Sequence, residues 1–287
     1  MKKLLLTGRT GFIGRNILAT LKESFDVIAP VRQDVDLLDD SAVVHYLNRE
    51  QFDLVLHCAN PNPVKNPTSD GKIDMLEGSL RLFMNFYQHQ DLFGKMIFLG
   101  SGAEFDKSLD MVQIKEDDFG RSIPHDGYGF AKFIMTSLAR QSSNIYNARI
   151  FACFGPYDHA SKFITHVIRC CLRQQPITIR QDCYFDYIYV SDLGKILVRL
   201  LQMNLKYHDY NVCSGQRNTL RTIAEIVCDQ MGYDKGKIVI NHAGWNKEYT
   251  GSNERFMQEN PDFTYLPLEE GISRQIAWER GHQSLWK

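Results

Sequence analysis

The sequence predicts an α/β fold in which a doubly wound parallel sheet carries a smaller, interleaved C-terminal lobe. Two observations predict it. Short apolar runs alternate with helical patterns from Lys3 to Phe151, the alternation that builds a parallel sheet with helices on both faces. The first run also ends in a glycine-rich turn that opens the first helix, Thr7-Gly8-Arg9-Thr10-Gly11-Phe12-Ile13-Gly14. That context marks phosphate binding at the edge of such a sheet.

Each element has its own warrant. Lys3–Thr7 is a short apolar strand stopped by glycine, and Phe12–Leu21 has helical spacing. Asp26–Ala29 is strand-like. Ser41 is placed to cap a helix running to about Arg49, with Val44 and Leu47 on one face. Asp53–Cys58 is an apolar run suited to a strand covered on both faces. Residues 61–70 read as a loop leaving the sheet, and 72–90 as a long amphipathic helix with Leu82, Phe83, Phe86 and Tyr87 towards the core. A strand at Lys95–Leu99, an irregular polar segment at 106–126, a helix at Tyr128–Arg140 and a strand at Asn147–Phe151 follow. Beyond them come short strands at Ile177–Arg180, Tyr187–Val190 and Lys237–Asn241, and helices at Ser161–Arg173, Asp192–Met203, Leu220–Met231 and Leu268–Arg280. The expected division is 1–155 for the cofactor domain, with about 181–200 returning to it, and 156–287 mainly for a substrate lobe.

The chain has 287 residues, 44% hydrophobic and 23% charged, enough to bury a large core. A net charge of −1 leaves no basic field for nucleic acid or an anionic membrane. The opening MKKLLLTG is too short for a secretion signal, and no apolar run reaches the roughly 18 residues of a membrane span. The seven cysteines form no CxxC pair and read as reduced, buried hydrophobes of a cytoplasmic protein. No His/Cys/Asp cluster has metal-ligand spacing. His57 reads as a satisfied core histidine, and the aromatic run 184–189 as core or pocket wall.

In the glycine turn, Gly8 permits the tight bend, Gly11 lets backbone approach a pyrophosphate, and Gly14 lets helix pack on sheet. The helix N-terminus then offers N–H groups to the phosphates. The second strand ends Ala29-Pro30-Val31-Arg32, with no carboxylate to hold a ribose 2′-hydroxyl. Arg9 and Arg32 are available instead to a 2′-phosphate, so NADP(H) is expected over NAD(H). Asp36 and Leu37, just beyond, either touch the adenine or sit in the turn before the next helix. Tyr128 and Lys132 stand four apart on one helix face. A lysine ammonium beside a phenol favours the phenolate and brings it towards acid–base work near neutrality. Ser101 ends a strand, where open α/β sheets bind ligands. Its hydroxyl can bond the carbonyl oxygen that Tyr128 protonates, or cap a turn.

In order along the chain, TGxxGFIG, FDLVLHCA, FLGSxxxF, YxxxK and VxDL (Val190-Ser191-Asp192-Leu193) resemble the extended short-chain dehydrogenase/reductase family, the NAD(P)-dependent sugar-nucleotide epimerase/dehydratase group. The resemblance spans essentially the whole chain. VDLLDDSAV, FLGS, FGPYD and THVI are most similar to its 4-keto-sugar reductases of the GDP-fucose synthase type. The resemblance implies a Rossmann-type fold and a Ser101, Tyr128, Lys132 catalytic triad. It implies a cofactor bordered by Gly8, Arg9, Thr10, Gly11, Phe12, Ile13, Gly14, Arg32, Asp36, Leu37, Cys58, Ala59 and Lys132. It also implies a homodimer through the long helix and the Tyr128 helix. Tyr128 would exchange a proton with the sugar C4 oxygen while hydride moves to or from the nicotinamide.

Departures from that pattern bear on the chemistry. Ala103 stands where the fucose synthases place a proton-transferring cysteine, and their histidine falls on His166 or, in another alignment, on Lys162. Gly102 and Ala103 stand where the dehydratases carry an Asp-Glu pair. Glu104 comes one residue later, and strand alternation would point it the other way. Phe185 stands where the family often has an arginine for the substrate phosphates, with Arg180 a few residues upstream. The expectation is an NADPH-dependent reductase or epimerase acting at C4 of a nucleotide-linked (deoxy)hexose. The alternatives are a reductase of a non-nucleotide ketone and a non-catalytic NADP-binding sensor on the same fold.

Overall fold

The computed structural model describes residues 1–61 and 74–286. Its strands in chain order are β1 (Lys3–Thr7), β2 (Asp26–Ile28), β3 (Phe52–His57), β4 (Phe93–Ser101), β5 (Met111–Ile114), β6 (Ile145–Ile150), β7 (Ala152–Phe154), β8 (Ile177–Asp182), β9 (Tyr184–Phe185), β10 (Tyr187–Tyr189), β11 (Asp209–Val212), β12 (Asn218–Thr219), β13 (Ile238–Trp245) and β14 (Tyr249–Gly251). Its helices are α1 (Phe12–Lys22), α2 (Asp40–Glu50), α3 (Met75–Tyr87), α4 (Gly127–Ala139), α5 (Phe163–Leu172), α6 (Val190–Gln202), α7 (Leu220–Met231), α8 (Glu254–Glu259) and α9 (Leu268–Gly281). The loop expected at 61–70, apart from Pro61, and the first residues of the helix expected from 72 lie outside the described residues.

Six strands form one parallel sheet in the order β11-β6-β4-β3-β1-β2. The first three leucines explain how it is covered. Successive strand side chains point to opposite faces. Leu4 and Leu6 therefore enter one core, with Ile17 and Leu21 of α1 and Leu193, Ile196 and Leu197 of α6. Leu5 enters the other, with Val43 and Leu47 of α2, Phe83 and Phe86 of α3, and Met135 of α4. Each such buried side chain contributes roughly 1.5–3 kcal/mol. Helix α6 and strand β11 come late in the chain, yet they complete the sheet and its covering. A separate core joins α5, α7 and α9 to β8, through Ile164, Val167, Ile223, Val227, Ile272 and Ile177 among others.

Local chemistry moves several boundaries. Helix α2 starts before Ser41, because the Asp39 carboxylate accepts the Ala42 N–H at 3.1 Å and is the cap. The earlier start turns Val43, Tyr46 and Leu47 inward and leaves Val44 half-buried. The segment 106–126 contains β5, which finds its partner in β14, far along the chain. Strand β4 stops at Ser101, and Gly102–Phe105 form a short helical turn. Strand alternation therefore does not govern Glu104. Among the described residues no helix is long and apolar enough to cross a membrane. The same residues contain no group of three or more His, Cys, Asp or Glu placed to hold a metal ion.

Candidate active site

The sheet order reverses at β1, which has β2 on one side and β3 on the other. In open parallel sheets the crevice beyond the strand ends at such a point binds ligands. A cleft of about 1280 Å³ lies there, lined on one side by the glycine turn and on the other by Phe185, Tyr187 and Tyr249. Small-molecule sites usually occupy roughly 300–1,000 Å³, so the cleft has room for a dinucleotide and a second molecule.

The glycine turn is built for backbone approach. Gly8 has φ +70°, and a β-carbon at Gly14 would lie 2.4 Å from the Gly8 carbonyl oxygen. Helix α1 has no side-chain cap and no acid in its first turn. Its leading N–H groups and positive dipole end are left for an anion. These features fit a nicotinamide dinucleotide, whose pyrophosphate would sit on Gly11 to Gly14. At the far rim Arg32 is exposed and lies 3.4 Å from Asp36. The other Asp36 oxygen accepts the Leu38 N–H at 3.1 Å, so Asp36 both shapes its turn and lines the cleft. Asn85 of α3 donates to the Leu37 carbonyl at 2.9 Å and fixes that rim.

Gly8, Thr10 to Gly14, Arg32, Asp36, Leu37, Cys58 and Ala59 line the cleft, and Arg9 does not. Its α-carbon packs under Gly14, and its half-buried side chain has an Nε without a partner among the described residues. At the end of β3, Thr7 Oγ1 accepts the Ala59 N–H at 3.1 Å and meets His57 Nδ1 at 3.1 Å. His57 is only half satisfied, since Nε2 has no partner among the described residues. Burial, with help from the Lys132 charge, pushes its pKa down to about 3 and keeps it neutral.

Ser101 is buried at the end of β4, faces the cleft, and caps the following turn by accepting the Ala103 N–H at 3.2 Å. Asp126 starts α4 by accepting the Gly129 N–H at 2.9 Å. That start sets Tyr128 in the first turn and Lys132 one turn deeper. The Lys132 ammonium is buried, donates to the Leu99 carbonyl at 2.8 Å, and lies 5.8 Å from the Tyr128 ring centroid. Burial brings its pKa down to about 8 against the pull of Glu104 and Cys58. Burial likewise raises the Tyr128 phenol; contact with Ser101 works the other way, and the Glu104 and Asp126 charges raise it further. The lysine thus stands below the tyrosine, and burial rather than the lysine charge sets the direction of the tyrosine shift.

One carboxylate locks serine turn to tyrosine helix. Glu104 is fully buried and accepts hydrogen bonds from Thr136 of α4, from Arg149 of β6, and from Asn147 at 2.9 Å. Arg149 continues to Asp209 of β11 at 2.6 Å.

Of the side chains expected at the substrate, Lys162 and Phe185 line the cleft, whereas His166 and Arg180 do not. His166 is half-buried on α5, with Nε2 3.5 Å from Cys170 Sγ. Arg180 is exposed on β8. Phe185 stacks on Tyr187 at 5.6 Å and meets Tyr249 at 5.3 Å between ring centroids. Tyr249 and Lys107 also line the cleft. No local signal in the sequence marks either one: Tyr249 arrives through the pairing of β14 with β9.

Residues 4–213 match the model of the family described as NAD dependent epimerase/dehydratase. Among curated proteins, the chain is similar to GDP-L-colitose synthase of Yersinia pseudotuberculosis, 22% identical over 302 residues and covering 96% of this chain and 97% of that one. It is also similar to GDP-6-deoxy-D-mannose reductase of Pseudomonas aeruginosa, 26% identical over 248 residues, 79% of this chain and 80% of that one. Its fold is similar to that of a GDP-L-fucose synthetase from Naegleria fowleri bound to NADP, with a TM-score of 0.81 at 18% identity, covering 99% and 95% of the two chains.

Proposed function

The chain belongs to the NAD dependent epimerase/dehydratase family, and on that premise we propose that it is an NADPH-dependent reductase or epimerase acting at the C4 carbonyl or hydroxyl of a nucleotide-linked (deoxy)hexose. One observation carries the reading: Ser101, Tyr128 and Lys132 share a cleft with a glycine turn and an uncapped helix N-terminus. The substrate class follows the similar proteins, a GDP-sugar synthase and a GDP-sugar reductase by name.

When bound, the nicotinamide supplies or receives hydride. Tyr128, held protonated at neutral pH by its raised pKa, keeps the proton that the C4 oxygen takes on reduction. Ser101 orients that oxygen with its hydroxyl. Lys132 adds a positive charge beneath both, full below about pH 8. Solved structures of this fold hold NADP or NADPH in two cases and NAD in four others, so the preference for NADPH rests on Arg32 and on the missing carboxylate after β2. The same proposal includes a homodimer through α3 and α4, checked by the mass in solution, and a substrate lobe formed mainly by 156–287.

The test is the loss of reduced nicotinamide absorbance with a panel of nucleotide-linked 4-keto-6-deoxyhexoses, together with C4 epimerisation of nucleotide hexoses. Turnover with one member, reduced by roughly 10²–10⁴ in Tyr128→Phe with cofactor binding intact, supports the proposal. No turnover in either assay overturns it.

One observation favours a second reading, a reductase of a non-nucleotide ketone. Phe185 occupies the place of the phosphate-binding arginine and is packed among aromatic rings. From residue 156 onward, Lys162 is the one cation among the described residues lining the cleft. Failure of any nucleoside diphosphate to raise the unfolding temperature would favour it.

A further inference from the structure

Tyr249 sits on β14 in register with Phe185 of β9 and lines the same cleft as Ser101 and Tyr128. Its ring lies 5.4 Å from that of Phe151 and 5.3 Å from that of Phe185. Its phenol end is aimed at the serine turn. A β-carbon on Gly102 would sit 2.7 Å from the Tyr249 oxygen and 2.9 Å from Cζ. The phenol therefore fills the space that a side chain directly after Ser101 would take.

Two phenols consequently meet one hydroxyl. The Ser101 hydroxyl interacts with Tyr128 and with Tyr249, and the Ala103 N–H that bonds Ser101 reaches Tyr249 as well. A serine hydroxyl carries a single proton, so which phenol it serves depends on which phenol donates to it. Burial holds Tyr249 well above the ordinary tyrosine range. It is therefore a neutral donor throughout the working pH range. The neighbouring Ser101 oxygen is placed to accept from it before substrate enters.

Resting on the reading of the cleft given above, we propose that Tyr249 is a positioning and specificity-determining residue. Its phenol orients the Ser101 hydroxyl towards the incoming carbonyl oxygen. Its ring, backed by Phe151 and Phe185, limits the substituent on the carbon next to the reacting one.

The experiment compares Tyr249→Phe, Tyr249→Ala and the wild-type enzyme. Tyr249→Phe keeps the ring and removes the donor, so kcat should fall about tenfold, the scale of one lost hydrogen bond, while KM and NADPH binding stay within about twofold of wild type. Tyr249→Ala should raise the rate ratio for a hydroxymethyl over a methyl substituent beside the reacting carbon by about tenfold. A readout independent of substrate is the ultraviolet titration of Tyr128, taken as the difference between each protein and its Tyr128→Phe derivative. With Tyr249 donating to it, the Ser101 hydroxyl keeps its own proton for the Tyr128 phenolate; without that donor the hydroxyl is no longer held there, so this titration should move up by about half a unit. An unchanged kcat in Tyr249→Phe, or an unmoved Tyr128 titration, overturns the proposal. Absence of wild-type turnover overturns the reading of the cleft instead, and the titration then decides Tyr249 alone.

Discussion

The Lys132 ammonium donates to the Leu99 carbonyl oxygen at 2.8 Å, one turn below the phenol of Tyr128. A strand carbonyl thus holds a charge that burial works against. The folded pKa of about 8 lies below the ordinary lysine value of 10.5. Between those values the unfolded chain binds more protons than the native one, so stability rises with pH across that window and the burial penalty is fully present below about pH 8. Lys132→Met should therefore unfold at higher urea than wild type at pH 7, by on the order of 1 kcal/mol after loss of the Leu99 bond. The difference should shrink above about pH 10, while turnover collapses. Wild-type turnover itself should decline as pH rises through about 8.

His57 sets a second pH dependence, on the acid side. Its folded pKa of about 3 lies below the ordinary 6.5, so protonation favours the unfolded chain. Stability should be lost as pH falls from about 6.5 towards 3, by on the order of a few kcal/mol over the window. His57→Asn keeps a polar partner for Thr7 and removes the titration. Its urea midpoint should vary less between pH 7 and pH 4 than that of wild type, and an equal loss in both would show that His57 is not the cause.

Gly14→Ala tests the phosphate cradle. The new β-carbon would lie 2.4 Å from the Gly8 oxygen and 2.9 Å from the Arg9 α-carbon. Both are backbone, so the turn must move. We expect a loss of about 1–3 kcal/mol in stability and at least a tenfold weakening of NADPH binding by fluorescence titration, or roughly 1.4 kcal/mol. Wild-type affinity would mean that the turn does not hold the pyrophosphate.

Arg32→Ala tests the coenzyme choice. Arg32 is exposed and is paired with Asp36 at 3.4 Å, so its removal should leave folding untouched. The KM for NADPH should rise about tenfold, the scale of one charge-assisted contact, with NADH kinetics unchanged. Equal effects on both coenzymes would remove the 2′-phosphate from the account.

The legible parts of this chain are those governed by short-range periodicity. The apolar runs Lys3–Thr7 and Asp53–Cys58 mark strands, and the spacing of Tyr128 and Lys132 places both on one helix face. Parts decided by distant pairing are opaque. Nothing around Tyr249 announces that β14 will pair with β9 and carry it to Ser101. Direction is also lost: Arg9, His166 and Arg180 stand near useful places in the sequence, yet all three leave the cleft wall. Two oxygen-bearing side chains two residues apart could each cap α2, and it is Asp39 rather than Ser41 that accepts a first-turn N–H.

The packing of Tyr249 against Gly102 also bears on how this scaffold can evolve. An aspartate after Ser101, as the dehydratases of the group carry, would collide with the phenol, and a glutamate at 103 would replace an alanine that is 1% exposed. Removing Tyr249 first would leave a hole beside Phe151 and Phe185 with no acid yet in place. The two changes are coupled because they contest the same space. Positions 102 and 249, far apart in the gene, therefore share one volume, and a side chain at 102 requires room given up at 249.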